Sequence, residues 1–203
     1  MQFYHEIITQ KSFVFLQGLK KEYEFVLIGG WAVFLYSHGL KSKDIDIIVG
    51  YSELAKMKEK YEVLKNERLA KYEIKTGEFD IDIYLSHYSD LGVDIVGIEE
   101  SAVIKDGFLV PKLELLFLLK LFAWDNRRGT AKGRKDELDV FCLARLPEFD
   151  WKYYSQMVKK YSFEERHRLF IKLLKTTKEI KELAINQQKM AKLKKDILGK
   201  LPK

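Results

Sequence analysis

Phe25-Val26-Leu27-Ile28-Gly29-Gly30, followed about fifteen residues later by Asp44-Ile45-Asp46-Ile47-Ile48-Val49, is the stretch whose reading decides the fold of this chain. Four apolar residues stopped by two glycines suit a buried strand that turns sharply. Trp31 to about Ser37 then reads as a helix ended by Gly39, and a polar turn through Lys41, Ser42 and Lys43 leads into a second strand. On it Asp44 and Asp46 are two residues apart, so both point to one face while Ile45 and Ile47 point into the packing. Two acids on one face repel unless a cation or a basic partner neutralises them, and a hard oxygen site of this kind suits Mg²⁺ or Mn²⁺. The plainer alternative is that both acids solvate the exposed face of an edge strand.

Upstream, apolar residues at Ile7, Ile8, Phe13, Phe15, Leu16 and Leu19 predict an opening helix over residues 3–19. Downstream, Ser52 is a cap candidate and Leu54, Met57, Tyr61 and Leu64 fall roughly on one face, predicting a helix over 51–66. Tyr72–Thr76 and Phe79–Leu85 read as a hairpin turning at Gly77, whose second arm alternates apolar and acidic residues. Strand-like pieces at Gly92–Ile98 and Phe108–Val110 lead to Pro111, where the period changes. Leu113–Trp124, Lys135–Leu146, Asp150–Lys160 and a long segment from Phe163 to Leu201 look helical, and Gly129–Lys135 reads as a flexible basic loop. The expected architecture is α+β: a small mixed sheet flanked by helices over residues 1–110, then a helical domain over 111–203 that closes a nucleotide cleft.

The glycine pair matters for chemistry as well as for the turn. A strand that ends in Gly29-Gly30 at the mouth of a helix offers backbone N–H groups and a positive dipole end, which is a place for a phosphate. A third acidic strand follows, Phe79-Asp80-Ile81-Asp82-Ile83, again with both carboxylates on one face. Neither Gly-x-x-x-x-Gly-Lys-Ser/Thr nor Gly-x-Gly-x-x-Gly occurs, so the other common phosphate loops do not compete.

An apolar strand, Gly-Gly, Asp-x-Asp and a third acid on a later strand resemble the DNA polymerase beta-like nucleotidyltransferase superfamily. More narrowly, Ile28-Gly-Gly-Trp-Ala-Val33, Ser42-Lys-Asp-Ile-Asp46, Leu119-Lys-Leu-Phe-Ala-Trp-Asp-Asn-Arg127 and Lys135-Asp-Glu-Leu-Asp139 look like the nucleotidyltransferases grouped with AbiEii-type toxins of toxin–antitoxin systems. The resemblance implies transfer of a nucleoside monophosphate from an NTP such as ATP to a hydroxyl. Asp44, Asp46 and Asp82 would be the catalytic and metal-binding acids. Asp80 is the rival of Asp82, which is favoured because Asp82-Ile-Tyr-Leu85 is more similar to the family's third motif. Gly29, Gly30, Ser42, Lys43, Lys120, Arg127 and Asp136 would contact the nucleotide. Trp31 departs from the small residue that many relatives carry there, and packing into the core is the expected reading.

Several of these residues also have ordinary readings. Lys120 interrupts an apolar helix and needs a partner or a ligand, or it snorkels to the surface. Asp136 and Asp139 sit where a helix start is expected, so the helix dipole can account for them without catalysis. His5, His38, His87 and His167 are scattered, and no role is assigned to them.

With 47% apolar residues and 203 positions the chain can build a sizeable core. Its one cysteine, Cys142, lies in an apolar run, which excludes a disulfide framework and favours a reducing cytoplasmic setting. The start lacks a signal-peptide pattern, and Lys112, Glu114 and Lys120 interrupt the best membrane-span candidate, so no membrane partner is expected. Net charge is +6, concentrated from Lys178 to Lys203, where eight lysines stand against three acids. A basic tail helix can face RNA or solvent alike. The acceptor implied by the resemblance and the tail is tRNA, with a winged-helix antitoxin as protein partner. Nucleotidylation of a protein or small molecule, and a catalytically silent nucleotide- or partner-binding module, are the alternatives.

Overall fold

A computed structural model describes residues 2–201, with the side chains of residues 2–5 excepted; Lys203 of the basic tail and the His5 side chain lie outside the described residues. The chain forms two compact units, Met1–Lys112 and Leu113–Lys203.

The first unit opens with α1 (Gln2–Glu22) and continues through β1 (Val26–Ile28), α2 (Gly29–Ser37), β2 (Ile45–Ile48) and α3 (Tyr51–Lys60). Then come β3 (Leu64–Asn66), β4 (Lys71–Lys75), β5 (Asp80–Tyr84), α4 (Ile95–Glu100), β6 (Val103–Lys105) and β7 (Phe108–Val110). Five strands make one sheet in the order β1-β2-β5-β4-β3. It is a mixed sheet: β2 and β5 run parallel, and the other neighbours are antiparallel. The parallel pair lies inside the sheet, and its apolar residues Ile45, Ile47, Ile81 and Ile83 are fully buried. That burial fixes the register, since a slip of one residue would exchange four isoleucines for carboxylates. Trp31 is buried as expected; its indole N–H donates to Ser12 Oγ on α1 at 3.0 Å and its ring meets Phe34 edge-on.

Two expectations are corrected here. The helix predicted over 51–66 ends at Lys60, because Leu64–Asn66 pairs with Lys71–Glu73 as an edge strand and leaves Leu64 exposed. The strand predicted at Gly92–Ile98 is instead helical from Ile95: the Asp94 side chain accepts the Gly97 N–H at 3.0 Å, a helix cap, and Ile95 and Ile98 are buried at helical spacing. β6 was not anticipated. Asp106 and Gly107, both at positive φ, form the two-residue turn that joins it to β7, and an Asp-Gly pair between apolar runs is a recognisable hairpin signal.

The second unit is helical: α5 (Leu113–Asn126), α6 (Ala131–Ala144), α7 (Trp151–Lys160), α8 (Glu164–Thr176), a short 3₁₀ turn at Lys181–Leu183, and α9 (Gln187–Lys200). Every residue of α5 from Leu113 to Leu121 is buried, and α6, α7 and α8 pack against this helix. Phe117 stacks edge-on against Phe149, Tyr154 and Phe170, and Cys142 is buried on α6. Three expectations change. Gly129–Lys135 is not all loop: Thr130 caps α6 by accepting the Gly133 N–H, and the helix runs from Ala131. Asp136 therefore lies in the second turn and not at the helix start. The single long helix from Phe163 to Leu201 is two helices, because Ile180 and Ile185 pair as a bridge and Ala184 takes a left-handed conformation. No helix among the described residues is long and apolar enough to cross a membrane.

Candidate active site

Parallel pairing sets Asp46 on β2 directly opposite Asp82 on β5. Neighbouring strands lie about 4.8 Å apart, so the two carboxylates leave one face of the sheet side by side. Antiparallel pairing adds Glu73 on β4 opposite Asp82. Three acids thus stand in a row across three adjacent strands.

Beside Asp46 the chain leaves β1 through Gly29, at φ +67, and enters α2. A Cβ on Gly29 would lie 2.5 Å from the Asp46 Cγ and closer still to its Oδ2. Glycine is therefore required twice, for the left-handed conformation and for the space that the Asp46 carboxylate fills. The expectation that Gly29 serves a phosphate omitted this demand from within the fold. Gly30 is buried in the first turn of α2.

Asp44 precedes β2, and its Oδ1 accepts the Asp80 backbone N–H at 3.2 Å. The Asp80 side chain is engaged elsewhere: Lys75 Nζ is 2.8 Å from its Oδ2. Of the two acids on β5, Asp82 is the one set against Asp46. Ser42 is buried and donates to the Asp44 carbonyl at 3.0 Å, so its hydroxyl braces the approach to β2, while Lys43 is exposed.

Asp82 is also held by a residue the sequence reading passed over. Lys71 Nζ lies 2.6 Å from Asp82 Oδ2 and 2.9 Å from Glu73 Oε1, with a side chain only 11% exposed. Glu73 takes further hydrogen bonds from Asn66 Nδ2 at 3.2 Å and an ion pair with Lys75 at 3.3 Å. The signal was available: Thr76 and Phe79 bond across the Gly77 turn, and counting back from it sets Glu73 opposite Asp82 with Lys71 two residues away on the same face.

Burial first, and the charge of Asp46 second, push the Asp82 carboxyl up to about 6 against the pull of Lys71. Burial works to lower the Lys71 ammonium, but its hydrogen bonds to Asp82 and Glu73 outweigh that and hold it above its ordinary value. The hydrogen bond from Lys71 holds Glu73 below the usual carboxylate range.

Does this site suit a divalent cation? Asp82 Oδ1 is buried and has no hydrogen-bond partner among the described residues, and its neighbour Asp46 repels it. All the donors are hard carboxylate oxygens. Those features fit Mg²⁺. Against them, among the described residues no group of three acidic, histidine or cysteine side chains gathers as a metal site, and Lys71 already supplies Asp82 with a positive charge.

Lys120, Arg127 and Asp136 form a group of their own in the second unit. Lys120 Nζ is 2.8 Å from Asp139 Oδ2 and 3.6 Å from Asp136 Oδ1, and Arg127 Nη2 is 2.6 Å from Asp136 Oδ2. Among the described residues these are close charge contacts without aligned hydrogen bonds at Asp136 Oδ2 or either Asp139 oxygen. The buried charge on α5 that called for a partner has one within its own unit. Asp136 and Asp139 are explained by that charge rather than by a helix start.

No protein-family model matches the sequence, and no curated protein matches it. Among solved structures the chain is similar to JHP933 from Helicobacter pylori, at 16% identity and a TM-score of 0.55 over 95% of this chain and 93% of that one. It is also similar to a second H. pylori protein, described as a candidate nucleotidyltransferase, at 17% identity and a TM-score of 0.52 over 97% and 94% of the two chains. At such identities the likeness is one of fold: the mixed sheet flanked by helices, with a helical second part, is consistent with a nucleotidyltransferase fold.

Proposed function

We propose that this protein is a metal-dependent nucleotidyltransferase that moves a nucleoside monophosphate from an NTP to a hydroxyl acceptor. The observation that carries the reading is the pairing of Asp46 with Asp82 across the β2–β5 junction, beside a glycine turn that opens a helix. Asp46 and Asp82 would hold Mg²⁺, with Asp44 as the third acid carried by the sequence resemblance. Bound there, the ion would neutralise the triphosphate and favour ionisation of the acceptor hydroxyl. The acceptor oxygen forms a bond to the α-phosphorus, the bond from that phosphorus to the bridging oxygen breaks, and pyrophosphate leaves. Asp82 takes the acceptor's proton. The N–H groups at the start of α2 and the exposed Lys43 would meet the phosphates. Lys120, Arg127 and Asp136 keep their proposed nucleotide roles on the sequence resemblance alone.

The acceptor proposed is tRNA and the biological role that of a toxin opposed by an antitoxin. Both rest on the sequence resemblance, and the exposed lysines Lys189, Lys192, Lys195 and Lys200 of α9 support an RNA acceptor. One observation favours a second reading, a catalytically silent nucleotide- or partner-binding module: an ammonium group already rests on Asp82. Incubating the protein and an Asp46→Ala variant with each α-labelled NTP, Mg²⁺ and total RNA separates the two. Labelled RNA from the wild type alone supports transfer, and equal labelling by both proteins excludes it.

A further inference from the structure

Lys71 is built into β4 where its ammonium reaches two carboxylates on two strands, Asp82 on β5 at 2.6 Å and Glu73 on its own strand at 2.9 Å. The two acids differ in what else holds them. Glu73 keeps Asn66 Nδ2 at 3.2 Å and Lys75 Nζ at 3.3 Å, so its position does not depend on Lys71. Asp82 has one oxygen on Lys71 and the other buried without a hydrogen-bond partner among the described residues. Among the described residues Lys71 is the cation that pairs with Asp82.

A fixed positive charge against a carboxylate lowers that carboxylate's attraction for a second cation, and steeply so where water is largely excluded. We propose that Lys71 is a resident competitor for the divalent ion: its ammonium occupies the Asp82 end of the Asp46–Asp82 pair and withdraws onto Glu73 when the ion binds. Glu73 is then the resting acceptor that keeps the buried ammonium neutralised after withdrawal, and it is preset for that by Asn66 and Lys75. The consequence is a site with weak affinity for a bare divalent ion, so the ion is held chiefly when a polyanion such as a triphosphate brings further ligands. This inference rests on the proposed metal-binding role of Asp46 and Asp82, but not on catalysis.

The test is binding of Mn²⁺ without nucleotide, followed by the loss of its free electron-spin resonance signal, for the wild type and for two variants of opposite sign. Lys71→Met removes the competitor at similar length and should bind Mn²⁺ at least tenfold more tightly. Glu73→Gln removes the resting acceptor while leaving Lys71 on Asp82 and should bind it several-fold more weakly. Circular dichroism melts run beside each titration, and Glu73→Gln carries the test if Lys71→Met does not fold. Unchanged or weaker binding by a folded Lys71→Met, unchanged or tighter binding by Glu73→Gln, or no Mn²⁺ binding by any of the three proteins overturns the inference. A protein that shows both shifts yet transfers no nucleotide sinks the proposed activity and leaves the role of Lys71 standing.

Discussion

Gly29 has no side chain at the point where Asp46 puts its carboxylate: a Cβ there would lie 2.5 Å from the Asp46 Cγ. The turn that opens α2 and the acid on β2 are thus parts of one object, and a change in either is felt by both.

Gly29→Ala should therefore do more than strain the backbone. Left-handed φ costs a non-glycine residue about 1–2 kcal/mol, and the new methyl must also displace Asp46. Destabilisation of about 2–3 kcal/mol is expected, read as a lower urea midpoint, together with loss of transfer activity. An unaltered midpoint would show that the turn has room this geometry denies it.

Asp46→Asn and Asp82→Asn should each lower nucleotidyl transfer by about 10²-fold or more. They should also remove the stabilisation that a bound divalent ion gives, about 2.7 kcal/mol at an ion concentration 100 times its dissociation constant. Melting with and without Mn²⁺ checks this apart from activity. Asp80→Asn, whose side chain is committed to Lys75, should keep the Mn²⁺-dependent shift.

Lys120→Met should destabilise the second unit strongly. The Asp139 side chain is 1% exposed and would lose the cation 2.8 Å from its Oδ2. Breaking a buried pair from one side costs about 3–5 kcal/mol. The double change Lys120→Met with Asp139→Leu should recover much of that loss in denaturant unfolding, whereas no recovery would mean that Lys120 serves packing rather than charge.

His167 sets a pH dependence of stability. Its Nδ1 is 3.0 Å from the Tyr154 hydroxyl. Burial, with help from the charge of Arg168, lowers its pKa in the folded protein, and burial keeps Tyr154 protonated by raising its own. Because the folded state resists protonation, the unfolded chain binds more protons below about pH 6.5. Stability is then full above that pH, falls as pH drops through the window between the two pKa values, and levels off below it, at a slope of at most about 1.4 kcal/mol per unit. Asp82, raised to about 6, contributes the opposite sign. The difference between wild type and His167→Gln isolates the histidine: the variant should lose less stability between about pH 7 and pH 5.5.

Legibility in the sequence varied with the range of the interaction concerned. The Gly-Gly turn, both Asp-x-Asp strands and the Gly77 hairpin could be read because each depends on neighbours in the chain. The strand-like piece at Gly92–Ile98 folds as α4 from Ile95 on: its cap Asp94 is the local clue, and the joint burial of Ile95 and Ile98 sets the helical period. The end of α3 had no local signal, since Leu64–Asn66 becomes a strand only by pairing with Lys71–Glu73.

By itself the sequence determined that two strands would each present a pair of acids on one face and that a glycine turn would precede the first pair, since side-chain alternation and φ freedom are properties of the chain. Only the tertiary structure decided how the two pairs of acids meet, because the parallel register of β2 and β5 sets Asp46 against Asp82, while the Asp44 carboxylate accepts the Asp80 backbone N–H and the Asp80 side chain turns to Lys75. It also decided that an ammonium shares the site: the charge of Lys71 acquires meaning only from the carboxylates that folding brings within its reach.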